Sequence, residues 1–103
     1  MSSNNLLDPI KPGEILKDDF IESMGISINK LAQALAVPPN RISEIINGKR
    51  AISVDTAIRL QRYFGVDAQF WLNLQSEYDL RIMKRKIWYD IKKRVIPVNN
   101  FRS

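Results

Sequence analysis

A short stretch of the chain, residues 40–50, groups side chains able to pair with nucleic-acid bases and side chains able to neutralise phosphates. Amide, guanidinium, hydroxyl and carboxylate groups pair with base edges in the DNA major groove, and cationic groups at its border meet the phosphates. The candidates for base contacts are Asn40, Arg41, Ser43 and Glu44. The candidates for phosphate contacts are Lys30, Asn47, Lys49 and Arg50.

The carboxylate of Glu44 leaves two interpretations open. It accepts a hydrogen bond from a cytosine amino group, or it restrains Arg41, which lies three residues earlier on the same helix. The net charge of this region favours an anionic partner, because residues 27–66 carry an excess of four positive charges while the whole chain carries +5.

The 103-residue chain holds no Cys and no His. This composition excludes nucleophilic sites that need thiol or imidazole groups, and metal sites built on them. Glu14, Asp18 and Glu22 share one helix face, but no base or further ligand type accompanies them, so we interpret them as a solvated face. We expect no enzyme activity, no cofactor, no metal and no small-molecule substrate. With no secretion signal and no apolar run of ~18 residues, we expect a cytoplasmic protein without membrane contact.

Five helices must position these side chains, and together they predict an all-α domain. Helix one runs from about Pro12 to Ser23 with apolar residues every four positions, and helix two begins after Ser27. The third begins near Pro39 and ends at Asn47-Gly48, and the fourth lies between its cap Ser53 and Gly65. The fifth starts after Asp67, whose side chain is expected to cap it. The residues expected to be largely buried are Leu16, Phe20, Leu31, Leu35, Ile42, Ile45, Ile58 and Leu60, with Met24 and Val54 also on the apolar faces.

The second and third helices are each about two turns long, and only residues 36–38 join them. Two short helices crossing so tightly are typical of a helix-turn-helix, which lays its second helix in the DNA major groove. If Ala36 adopts the left-handed conformation that many such turns give to glycine, it costs about 1 kcal/mol.

The fifth helix carries more aromatic and long apolar residues than one face of a small domain can bury. We therefore predict that it forms the interface of a two-fold dimer, which a recognition helix of two turns needs to read enough DNA. The candidate interface residues are Trp71, Leu74 and Tyr78. The alternative for these residues and Phe70 is a place in the core, which is the more common role of aromatic residues at helical spacing.

The chain divides into an arm (residues 1–11), the helix-turn-helix domain (12–82) and a basic extension (83–103) that is helical to about Arg94. Two interpretations of the extension compete: a solvated charged helix, or a surface for DNA phosphates or an acidic partner. Its apolar stripe, Ile87, Ile91 and Val95, is expected to pack on the domain or on a dimer partner.

Residues 27–50 resemble the lambda-repressor-like, XRE-type DNA-binding domain. A longer set of motifs is closely similar to HigA-type antitoxins, also labelled virulence-associated protein I: PGEIL at 12–16, RISEIINGKR at 41–50, DTAIRL at 55–60, and FWLNLQ with YDLR between 70 and 81. The resemblance spans residues 9 to about 82.

This resemblance implies a bacterial type II antitoxin that binds operator DNA as a dimer, represses its own operon and neutralises a HigB-type ribonuclease toxin. The alternatives are a stand-alone XRE-type repressor without a toxin and a protein-interaction module that no longer binds DNA. The chain has Pro39 and Asn40 where some family repressors present glutamines, so the resemblance does not imply the operator sequence.

Overall fold

The computed structural model describes residues 9–98, which form five helices and, within that range, no strand. The all-α, five-helix prediction is confirmed. The first helix, α1, begins as the α-helix Pro12–Ile15 and continues as the π-helix Leu16–Glu22. The others are α2 (Ile28–Leu35), α3 (Pro39–Ile46), α4 (Val54–Phe64) and α5 (Ala68–Arg94). Of the predicted arm, residues 1–8 lie outside the described residues.

The ends of these helices follow their local sequence. The Ser27 side chain caps α2 by accepting a hydrogen bond from the Lys30 amide at 3.0 Å, and the Ser53 side chain caps α4 through the Thr56 amide at 3.3 Å. These contacts satisfy amides that have no partner inside their own helix. Asp67 lies at the predicted start of α5, but its side chain makes no capping hydrogen bond, so that part of the prediction is wrong.

The core lies where α1 to α4 meet the first turns of α5. Its buried apolar side chains are Leu16, Ile21, Leu31, Ala32, Leu35, Val37, Ile42, Ile45, Ile52, Ala57, Leu60 and Trp71. Six of the eight residues predicted to be buried are among them. Phe20 is only partly buried and packs against this cluster.

Three expectations of burial are wrong. Ile58 is 56% exposed and Val54 is 59% exposed, because α4 turns Ala57 and Leu60 towards the core and leaves these two on its opposite side. Met24 is 54% exposed. The π-helical turns of α1 shift the phase of its apolar face, so that the buried residue after Leu16 is Ile21.

Trp71 is the largest fully buried side chain and lies in an aromatic cluster. Its ring centroid is 4.8 Å from that of Phe20, 5.1 Å from that of Phe70 and 6.5 Å from that of Phe64. The predicted role of Trp71 in a dimer interface is wrong, because the side chain has no exposed surface in the protomer. Leu74 and Tyr78 are partly exposed, and their assignment to the interface stays a prediction.

The helix α5 continues without a break for 27 residues through the domain boundary predicted at residue 82. It ends at Arg94, where the sequence predicted the end of the helical extension. Val95, the last residue of the expected apolar stripe, is 62% exposed, and Ile87 is 39% exposed. The stripe therefore does not pack on the domain, and its packing against a dimer partner stays a prediction.

No helix within residues 9–98 has the length and apolarity to cross a membrane.

Candidate nucleic-acid interface

The turn between α2 and α3 is built on Ala36, which has φ 59° and ψ 46° and thus adopts the left-handed conformation in which the sequence has alanine instead of glycine. The Ala36 amide donates to the Gln33 carbonyl at 3.1 Å, and the Val37 amide donates to the Ala32 carbonyl at 3.0 Å. These two bonds close the end of α2, and Pro39 then starts α3 at its first position. The turn fixes the angle at which α3 leaves α2.

Replacing Ala36 by Gly is expected to raise the free energy of unfolding. Left-handed backbone costs alanine ~1–2 kcal/mol, and the larger entropy of an unfolded glycine returns part of this, leaving a gain of about 0.5–1 kcal/mol. Urea denaturation followed by circular dichroism measures the change. The matched control is Ala34→Gly, an exposed position inside α2, which should lose about as much as Ala36→Gly gains. Two losses of equal size would contradict the assigned strain.

The C-terminal end of α3 is held by the start of α1 through an unusually close approach at Gly13. A side-chain carbon at this position would overlap the carbonyl oxygen of Ile45 and lie 2.8 Å from the Cα of Ile46. Only a glycine allows the two backbones to meet here. Thus α1 positions α3 from one end, and the turn at Ala36 positions it from the other.

Three of the predicted base-contact residues, Asn40, Ser43 and Glu44, lie on the side of α3 away from the buried Ile42 and Ile45, and the fourth, Arg41, lies at the border of that side. Asn40 is exposed, and the other three are partly exposed. The Ser43 hydroxyl donates to the carbonyl of Asn40 at 3.3 Å. The helix-turn-helix thus presents amide, guanidinium, hydroxyl and carboxylate groups on one face, a set that suits base edges.

The guanidinium of Arg41 is held by Asp55, a residue outside the set predicted for the site from the sequence. Arg41 Nη1 donates to Asp55 Oδ2 at 2.8 Å, and Arg59 Nε donates to the same oxygen at 3.0 Å. The hydrogen bonds from Arg59 first and Arg41 second hold the pKa of the Asp55 carboxyl below its ordinary value. The two guanidinium groups therefore favour the ionised form of the Asp55 carboxyl.

The Arg59 side chain also reaches the helix-turn-helix itself. Its Nη1 donates to the carbonyl of Leu35 at 2.8 Å and to that of Ala36 at 3.3 Å. These carbonyls lie at the end of α2, where no amide of the helix can satisfy them. The spacing of Asp55 and Arg59, four residues apart on α4, was the available signal for their pair, but nothing local linked it to Arg41.

The Glu44 carboxylate pairs with Arg50, whose Nε donates to Oε1 at 2.8 Å. The proposed restraint of Arg41 by Glu44 is thus wrong, because Arg41 donates to Asp55 instead.

The other candidates for phosphate contact are Lys30, Asn47 and Lys49, all exposed. Lys49 follows Gly48, whose φ of 78° carries the chain around the end of α3. Within residues 9–98, no group of three or more acidic residues is arranged to hold a metal ion.

Two short helices joined by a tight turn, with a polar face on the second, define a helix-turn-helix domain. The model of the helix-turn-helix family HTH_3 matches residues 19–71. The chain belongs to this family, in the group that holds virulence-associated protein I and the HigA antitoxins.

Three relatives illustrate the similarity. The chain is 49% identical over 84 residues to virulence-associated protein I of Dichelobacter nodosus, covering 82% of this chain and 78% of the relative. It is 42% identical over 72 residues to antitoxin HigA-1 of Vibrio cholerae, covering 70% and 68%. The structure of the Pseudomonas aeruginosa antitoxin HigA with the higBA promoter superposes with a TM-score of 0.85 at 46% identity, covering 87% of this chain and 98% of that one.

Proposed function

We propose that this chain is the antitoxin of a bacterial type II toxin–antitoxin module, a cytoplasmic repressor without catalytic activity. It binds operator DNA as a dimer, represses its own operon and neutralises a HigB-type ribonuclease toxin. The observation that carries the DNA-binding part is the exposed polar face of α3, positioned at both ends and bordered by cations. The similarity to an antitoxin whose structure includes promoter DNA supports it.

A gel shift at several salt concentrations, with DNA from upstream of the protein's own gene, tests the DNA-binding part. Cations that neutralise phosphates release counterions, so the affinity is expected to fall steeply as salt rises. A large preference for this DNA over unrelated sequence of equal length is the expected result. Absence of binding at low salt would favour the interaction module that has lost DNA binding.

Two single substitutions are expected to separate base contacts from phosphate contacts. Arg41→Ala should cost ~1–3 kcal/mol of operator affinity and relax the preference at one base pair. Lys49→Ala should weaken binding to all sequences alike and reduce the salt slope by about one. Titrations against operators with single base-pair changes measure both effects. The assignment is wrong if Lys49→Ala changes the preference and Arg41→Ala does not.

The dimer follows from the size of the recognition helix. The eight residues of α3 span ~12 Å, enough for only a few base pairs, so useful specificity needs a second copy about 34 Å away. Tyr78 is partly exposed and borders an open groove along α5, and Leu74 on the same helix is also partly exposed. These two residues are our candidates for the interface. Light scattering and footprinting test this: we expect two chains on a palindromic site, and a single chain on an asymmetric site would contradict it.

Neutralisation of a toxin is tested by co-expressing the small reading frame beside the gene. We expect its product to co-purify with this chain and its toxicity to disappear. A neighbour that neither co-purifies nor loses toxicity, or the lack of any neighbour that inhibits growth, would favour the stand-alone repressor.

A further inference from the structure

The carboxylate of Asp55 connects three parts of the helix-turn-helix domain. Its Oδ2 accepts from Arg41, at the start of the recognition helix, and from Arg59, which in turn donates to the backbone at the α2–α3 turn. Arg41 and Asp55 are 14 residues apart, so the contact depends on the way α4 packs beside the helix-turn-helix.

The hydrogen bond to Asp55 uses only one of the three nitrogens of the Arg41 guanidinium, Nη1. A guanidinium has five N–H donors in a rigid plane, and a guanine is read by two of them side by side. Because Nη1 donates to Asp55, the Nε and Nη2 donors on the neighbouring edge have no other acceptor within residues 9–98, and the contact restricts the rotamers of the Arg41 side chain. The contact therefore selects an orientation of Arg41 while leaving a pair of donors available.

We propose that Asp55 is a positioning residue for sequence recognition. Its carboxylate holds the guanidinium of Arg41 in the orientation that contacts one base pair, and Arg59 links this carboxylate to the α2–α3 turn. The inference rests on the proposed function, because it concerns DNA recognition. Asp55 itself acts through Arg41 and needs no contact with DNA.

Stability alone does not account for a carboxylate in this place. The side chain of Asp55 is 55% exposed and those of its two partners are 28% and 38% exposed, and ion pairs between such exposed groups add little to the stability of a fold. A negative charge beside a surface for a polyanion also opposes binding. The carboxylate orients the Arg41 guanidinium before DNA binds. This lowers the entropy cost of binding, because an unrestrained arginine side chain loses many rotamers when it contacts a base.

The test compares Asp55→Ala with wild type on an operator and on its single base-pair variants. Arg41→Ala first identifies the base pair that Arg41 reads. At that pair we expect Asp55→Ala to lose about fivefold or more of the discrimination, while affinity for non-operator DNA stays equal or rises. Unchanged discrimination would contradict the inference. Increased discrimination would also contradict it, because Asp55 would then hold Arg41 away from the DNA.

Two controls make the result specific to Arg41. Glu77→Ala removes a carboxylate from another i,i+4 pair, the one that accepts from Arg81 at 3.3 Å, and should leave the discrimination unchanged. In the Arg41→Ala background, Asp55→Ala should have no further effect on that base pair. Additive losses would overturn the inference. A wild-type protein that binds every sequence equally would instead contradict the proposed function, a result seen before any variant is compared.

Discussion

Replacing Ile42 by Ala is expected to lower the free energy of unfolding by ~2–5 kcal/mol. The side chain is fully buried on the inner face of α3, so the truncation removes apolar burial and leaves a cavity. A domain of this size has only ~5–15 kcal/mol to lose, so the variant should unfold at a much lower urea concentration. Urea denaturation at one protein concentration, followed by circular dichroism, measures the loss.

The matched control is Ile58→Ala, the same truncation at a residue that the sequence pattern also assigned to the core. Ile58 is 56% exposed on α4, so its truncation should change the free energy of unfolding by less than about 0.5 kcal/mol. Equal losses for the two variants would show that Ile58 is buried and would contradict its exposed position on α4. The comparison therefore tests the orientation of α4 as well as the burial of α3.

Gly13→Ala is expected to destabilise the protein by about 3 kcal/mol or more, at the upper end of the ordinary cost of overpacking. Inside a helix this substitution usually stabilises, because alanine is the better helix former by ~1 kcal/mol. Here the added carbon would meet only backbone, the Ile45 carbonyl group and the Ile46 Cα at 2.8 Å, and backbone cannot rotate away. The start of α1 must then separate from the end of α3. Thermal and urea denaturation measure the loss.

Gly25→Ala is the control for Gly13→Ala. Gly25 has a φ of 68° and open space around it, so alanine there suffers backbone strain alone, about 1 kcal/mol. The folded Gly25→Ala protein should bind operator DNA like wild type, whereas Gly13→Ala should also weaken binding because α3 shifts. A Gly13→Ala protein as stable as wild type would contradict the close approach of α1 and α3.

The sequence predicted the ends of the helices well because short-range chemistry determines them. Ser27 and Ser53 cap helices, Pro39 starts one and Gly65 ends one, and each effect involves residues within a single turn. The faces of the helices were harder to predict. Ile58 is as apolar as its buried neighbours, and only the position of α4 against the other helices decides which side is covered.

The candidate site shows the same division. The polar residues of α3 follow from its helical spacing, but the contact between Arg41 and Asp55 crosses 14 residues and two helices. The residue pattern of α3 or of α4 taken alone does not indicate that these two side chains meet. The prediction for Trp71 was wrong for a related reason, since Phe20 of α1, whose ring packs against it, is remote in the chain.

The two tryptophans of the chain lie in opposite surroundings, and this gives the protein a pair of independent optical probes. The indole of Trp71 is fully buried among aromatic rings, and its Nε1 has no hydrogen-bond partner within residues 9–98. The indole of Trp88 is half exposed on the outer part of α5, with the Lys84 ammonium 5.9 Å from its ring centroid. Emission from Trp71 therefore reports the integrity of the core, while emission from Trp88 responds to whatever approaches the basic helix. A partner that covers the extension would change the second signal and leave the first one constant.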